Sequence, residues 1–203
     1  MQKNVEFTAE QRGALREVVD AVRQLIGYCM NIDADAGTLS ALAAQTRQLA
    51  AAMAPHTGRK GLEHFTFDFG DDLNSPLPQS PITGRYNPVA PPVELRLEGQ
   101  TLIGEVTLGK VYEGGTGMAH GSWIAAIYDQ LLAFAGLFNG TAGPTANLSI
   151  DFLKPTPIDQ PLRFEAKVDS ADERKVFISG TCYCDGVLVT KCEGLFIRIH
   201  RKW

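Results

Sequence analysis

Apolar residues recur every three or four positions in the first third of the chain and at alternate positions through most of its second half. Leu15, Val18, Val19, Val22, Leu25 and Ile26 fall on one stripe and predict a buried helix face. Thr8, with Gln11 three residues on, supplies the capping-box start of that helix, which runs to about Tyr28. A second, alanine-rich helix covers roughly 37–53, with Leu39, Leu42, Ala43 and Leu49 as its larger apolar positions. The stretch 71–92 carries most of the prolines and no periodicity, and reads as an extended connector draped over a surface. Val93, Leu95 and Leu97 alternate, as do Leu102, Gly104, Val106 and Leu108 across Glu-Gly-Gln, which predicts a hairpin. Residues 123–138 are apolar on almost every side, the pattern of a helix buried on almost every side. Four strands follow. One holds Leu148, Ile150 and Phe152, the next Leu162, Phe164, Ala166 and Val168, and the last two flank Asp185-Gly186, a strong hairpin signal. The order β-β-α-β-β-β-β predicts an α+β fold, a curved antiparallel sheet wrapped around one long central helix, preceded by a helical extension.

Composition narrows the classes. The chain is 44% hydrophobic and 21% charged with a formal net charge of −4, ordinary for a globular protein and without the basic excess of a nucleic-acid partner. No continuous apolar run reaches the length of a bilayer crossing, and the opening MQKNVEFTAEQRG lacks the apolar core of a secretory signal, so a cytoplasmic location without a membrane span is expected. The four cysteines, Cys29, Cys182, Cys184 and Cys192, form no CxxC pair and the histidines no zinc-finger spacing; the thiols are expected to be reduced and packed, with no metal site. His56, His64 and His200 have no partner at an informative spacing. The two opening helices are followed by no basic recognition face and are taken as a packing arm.

The second half of the chain resembles the hotdog-fold acyl-CoA thioesterases, in particular their PaaI-like branch of phenylacetic acid degradation. The resemblance rests on YEGGTGMAHGSWIAAIYDQLLAFAG, TANLSIDFLKPTPI and RKVFISGTCYCDGVLVTKCEGLFI, and on a carboxylate, Asp129, nine residues after the histidine of His120-Gly121. The resemblance covers 93–203, the expected hotdog domain; the helical arm over 1–60 lies outside it, and the proline-rich connector over 61–92 joins the two. The resemblance implies hydrolysis of an acyl-CoA thioester to free acid and coenzyme A, with no cofactor beyond the coenzyme A of the substrate. Asp129 would act as base on water or as nucleophile. The Gly121 amide would polarise the carbonyl, His120 would hold that loop, and Thr145 would orient the water. Gly114 stands where some members carry a side-chain amide, and Ser122 where the usual second glycine follows His-Gly. Lys154, Arg174 and Lys175, at strand ends, are candidates for the coenzyme A phosphates.

The same roles can be sought without the resemblance. A carboxylate in an apolar helix has its pKa pushed upward, toward values useful to a general base. The N-terminus of a helix offers free N–H groups and a positive dipole end to a developing oxyanion, and glycine there lets a ligand approach closely. Gly121 and Asp129 are eight residues apart, a rise of about 12 Å and roughly 80° around the axis. They are too far apart to act on one carbonyl from one helix. This predicts an obligate homodimer, alone or as a dimer of dimers, with each site combining Gly121 of one copy and Asp129 of the other. Blander readings remain beside these. Asp129 could cap a loop or pair with an arginine, His120 could be a helix cap, and Thr145 could serve strand propensity alone. Asp151 points away from the apolar face, while Tyr128 and Trp123 suit the core or an acyl pocket. Two other functions compete: a hotdog hydratase or dehydratase, which usually sets a histidine beside the acid, and a non-catalytic acyl-CoA-binding module. The helical arm could cover the pocket, extend the interface or do neither.

Overall fold

The computed structural model describes residues 8–57, 72–74, 76–141 and 143–198. Thr8 opens helix α1 (Ala9–Cys29) with a complete capping box: its Oγ1 accepts from Gln11 N at 3.1 Å and its own N–H donates to Gln11 Oε1 at 3.0 Å. Of the stripe expected to be buried, only Val19 is fully enclosed, whereas Val18 and Leu25 are 43% and 40% exposed. Among the described residues the helix rests on loops through a narrow seat that Arg23 shares, and part of its apolar side stays exposed. Helix α2 (Ala36–Met53) is capped by Asp35, whose Oδ1 accepts from Thr38 N at 2.9 Å, and it buries no residue.

Six strands form one antiparallel sheet: β1 (Glu94–Glu98), β2 (Thr101–Thr107), β3 (Thr145–Phe152), β4 (Pro161–Ala171), β5 (Lys175–Cys184) and β6 (Val187–Ile197), in the order β1-β2-β4-β5-β6-β3. Asp185 and Gly186 turn the β5–β6 hairpin with φ of 48° and 72°, the paired positive values that a type I′ turn requires. Helix α3 (Gly121–Phe138) lies across one face, closest to β4 and β5. It can come that near because the sheet is notched: a Cβ on Gly180 would stand 2.9 Å from both Tyr128 Cε1 and Leu132 Cδ1. Tyr128, fully buried, packs edge-on to Phe164, and its hydroxyl meets Thr190 O at 3.0 Å and Thr190 Oγ1 at 2.8 Å. A buried phenol is thereby satisfied in the middle of an apolar core.

Two expectations need correction. The connector is not merely draped. Asn74, 1% exposed, donates to Thr83 O and Val93 O and accepts from Leu95 N, and Ser80 Oγ accepts from Ile82 N and Thr83 N and reaches Gln130 Oε1 on α3 at 3.2 Å. It roofs the Gln130 side of α3 and explains the polar residue there. Nor is α3 enclosed all round. Its sheet face, including Ile124, Ile127, Tyr128, Leu131 and Leu132, is buried, but Ser122 and Asp129 are exposed and Ala125, Ala126 and Ala133 between them are half-buried. By length and mean hydropathy α3 would pass for a membrane span, yet Ser122, Asp129 and Gln130 interrupt its apolar run and its most apolar side is committed to the sheet. His64 and His200 lie outside the described residues.

Because the notch at Gly180 is filled by Tyr128 and Leu132, Gly180→Ala should cost about 1–3 kcal/mol of stability, read as a lowered urea midpoint with an unchanged slope.

Candidate active site

The site is built from the two ends of β3 and the open side of α3. Regular alternation would put Thr145 on the same face as Asn147, Ser149 and Asp151. Instead a bulge at Ala146 intervenes: Thr145 pairs with Phe196, while Asn147 already pairs with the next residue back, Leu195. The extra residue turns Thr145 onto the helix side of the sheet, where its hydroxyl donates to Asp129 Oδ1 at 2.6 Å. The sequence shows no sign of this bulge. The carboxylate is thus held by one oxygen. It is also exposed, so the desolvation expected of it is not provided by its own chain: Asp129 stands on the α3 face that neither sheet nor connector covers. Asp151 pairs with Lys191 on the opposite face and takes no part.

At the other end of β3, His120 caps α3. Its Nδ1 accepts from Ser122 N at 3.1 Å and lies 2.7 Å from Ser122 Oγ, so the ring hydrogen sits on Nε2. Trp123 N and Ile124 N donate to His120 O. Every N–H of the first turn therefore has a partner except that of Gly121, which finds no acceptor among the described residues. The Phe152 ring borders this amide, 3.2 Å from where a Cβ on Gly121 would stand. With Leu153 and Met118 it forms an exposed apolar rim, these three being 55%, 49% and 39% exposed.

The remaining candidates divide. Gly114 has a packing reason to be glycine, because a Cβ would fall 2.9 Å from His120 Cα. Glu113 is committed to Lys110 and to Gly117 N, contacts that hold its carboxyl below the usual range, and it is not available to a substrate carbonyl. Lys154 is exposed just beyond Phe152, at the Gly121 end. Arg174 and Lys175 lie at the Thr145 end, where Lys175 pairs with Ile197; their backbone N–H groups donate to Asp172 Oδ1. Within one chain the three cations are not brought together. Cys192, which pairs with Ile150 and feels the Asp129 charge, was expected only as packing. Burial first, and that charge second, push its thiol up to about 12, so it is no nucleophile at neutral pH.

Comparison with known proteins places the fold and the family. The family model described as the thioesterase superfamily matches residues 116–190, which span both ends of the site. A thioesterase superfamily protein of known crystal structure is 30% identical and superposes with a TM-score of 0.80, over 90% of this chain and 94% of that one. Acyl-coenzyme A thioesterase THEM4 of Xenopus laevis is 31% identical over 93 residues, 45% of this chain and 42% of that protein, so the match spans less than half the length of that relative. The E. coli PaaI protein of the phenylacetic acid degradation operon shares the fold, at 19% identity and a TM-score of 0.50 over 53% of this chain and 80% of that one.

Treatment of the native protein with iodoacetamide near neutral pH should modify exposed Cys29 and leave Cys182 and Cys192, both raised to about 12 by burial, unmodified until denaturant is added; peptide mass spectrometry reads the difference.

Proposed function

The chain belongs to the thioesterase superfamily, and from that membership we propose that it hydrolyses acyl-coenzyme A thioesters in two equivalent sites, each shared by two copies of the chain. The observation that carries this reading is the distribution of the two chemical groups along an edge strand. The Asp129–Thr145 pair sits at the start of β3 and the unpartnered Gly121 amide borders Phe152 at its end, about 12 Å from Asp129 along α3. β3 is one of the sheet's two edge strands, β1 being the other, and its second edge is unpaired among the described residues. A two-fold axis beside such an edge pairs it with its own copy in antiparallel fashion, start against end. Asp129 of one copy then meets Gly121 of the other. The same pairing would cover the exposed side of α3 and supply the desolvation that a single chain does not.

In that site the thioester carbonyl oxygen accepts from Gly121 N–H, on the helix dipole's positive end, where negative charge grows during attack. The free Oδ of Asp129 takes a proton from water while the Thr145 hydroxyl steadies the other oxygen. The water oxygen bonds to the carbonyl carbon, the oxyanion collapses, the carbon–sulfur bond breaks, and the proton held by Asp129 goes to the departing sulfur. Free acid and coenzyme A result. Lys154 of one copy and Arg174 and Lys175 of the other come to the same end of the joined sheet, where they can meet the phosphates. The single histidine of α3's first turn spends Nδ1 on the cap, which disfavours the hydratase alternative, since proton transfer at carbon needs a free base beside the acid.

Thiol release from a panel of acyl-CoAs, followed with a thiol reagent, tests the activity. Asp129→Asn should lower kcat by about 10²–10⁴-fold. Proline is tolerated at the first helical position, and His120, with ψ of 132°, already has the backbone that precedes proline, so Gly121→Pro removes the free N–H while keeping the helix. It should lower kcat by about 10²–10³-fold. Binding of acyl-CoA with no thiol release by the unaltered protein would instead favour a binding module. Full activity in a species that sedimentation shows to be monomeric would refute the shared site.

A further inference from the structure

The helical arm preceding the connector has no part in the chemistry above, yet among the described residues α1 seats behind the first turn of α3. Helix α1 contacts the turn Lys110–Tyr112, and Arg23, four residues after its one fully buried residue Val19, reaches the loop at Gly84 and Asn87. Arg23 Nη2 donates to Asn87 O at 2.9 Å and to Gly84 O at 3.3 Å, and Nη1 is held by Asp20 Oδ1 at 2.8 Å. Asn87 Oδ1 accepts from Val89 N at 3.0 Å, and Val89 O accepts from the Tyr112 hydroxyl at 3.2 Å. Tyr112, 7% exposed, touches the candidate site twice. Its carbonyl accepts from His120 N at 2.8 Å, and its ring meets Trp123 edge-on at 5.0 Å. His120 and Trp123 flank Gly121 and Ser122. The route from α1 to the unpartnered amide is therefore continuous, and each step is a named contact.

We propose that α1 positions the Gly121 amide: Arg23 clamps the loop that fixes Tyr112, and Tyr112 sets the depth and direction of the first turn of α3. The inference rests on the thioesterase reading above for its kinetic consequence, though not for its structural one. A single N–H must be aimed at the place where an oxyanion forms, and a helix end held only by its own cap would fray within its first turn. His120 satisfies the cap from within, and Tyr112 anchors its backbone from behind. A guanidinium bridging two carbonyls is suited to that role, because its planar fork loses little further freedom on binding. Arg23 and Tyr112 are positioning residues and need not touch substrate.

The test uses the full chain with Trp203→Phe as background, leaving Trp123 as the sole indole. Arg23→Ala should lower kcat about tenfold with KM changed less than about twofold, leave the pH profile in place, and shift Trp123 emission to the red. Tyr112→Phe, which removes only the hydroxyl bond to Val89, should move both readouts the same way by less, and Arg23→Lys should recover part of each. Unchanged kcat and unchanged emission in Arg23→Ala, with Asp129→Asn still inactive, would overturn the positioning role while leaving the thioesterase reading intact. Absence of thiol release in the unaltered protein would defeat that reading instead, and the emission shift alone would then decide whether α1 holds the turn.

Discussion

Eight residues of rigid helix separate Gly121 from Asp129, and no choice of rotamer closes a gap of about 12 Å between the amide and the carboxylate. The rest of the account follows from this constraint. Were the two groups adjacent, one chain could carry a complete site, and the open edge of β3 and the uncovered side of α3 would need some other explanation. In the proposed dimer, with the groups held apart, the exposure of Asp129, the free edge and the half-buried alanines of α3 become parts of one arrangement, a surface that a second copy would cover. In the proposed site, placing the acid on a helix packed into the core, and the amide on that helix's capped end, would keep both fixed before substrate arrives.

Much of this was legible in the chain wherever a signal is local. The Thr8–Gln11 capping box, the Asp185–Gly186 turn and the alternation of Leu162, Phe164 and Ala166 each depend on a few neighbouring residues, and each is found as read. The assignment of His120 as a cap also needed only local chemistry, and the structure adds that its capping leaves the Gly121 amide without an acceptor among the described residues.

What was not legible is non-local. The bulge at Ala146 has no compositional mark: Thr-Ala-Asn reads as three strand residues, and only the pairing with Phe196 and Leu195 shows that one of them is extra. That one residue moves Thr145 from the solvent face to Asp129. The connector looked superficial because prolines and polar residues usually are; that Asn74 and Ser80 are buried depends on carbonyls 9 to 19 residues away and on Gln130 across the fold. The stripe on α1 was read as wholly buried because amphipathicity shows that a face wants cover and not how wide the seat is. Asp129 was expected to be dehydrated by its own apolar helix, whereas its neighbours on the open side are small and leave it in water.

The measurement that bears most directly on a site shared between copies is complementation. Equal amounts of the Asp129→Asn and Gly121→Pro chains, each inactive alone, are unfolded and refolded together and assayed for thiol release. Random pairing makes half the dimers mixed, and each mixed dimer regains one intact site of its two, so activity should return to about a quarter of the unaltered level. If the mixture stays as inactive as its components while mixed dimers are shown to form, then acid and amide act within one chain and the account is wrong.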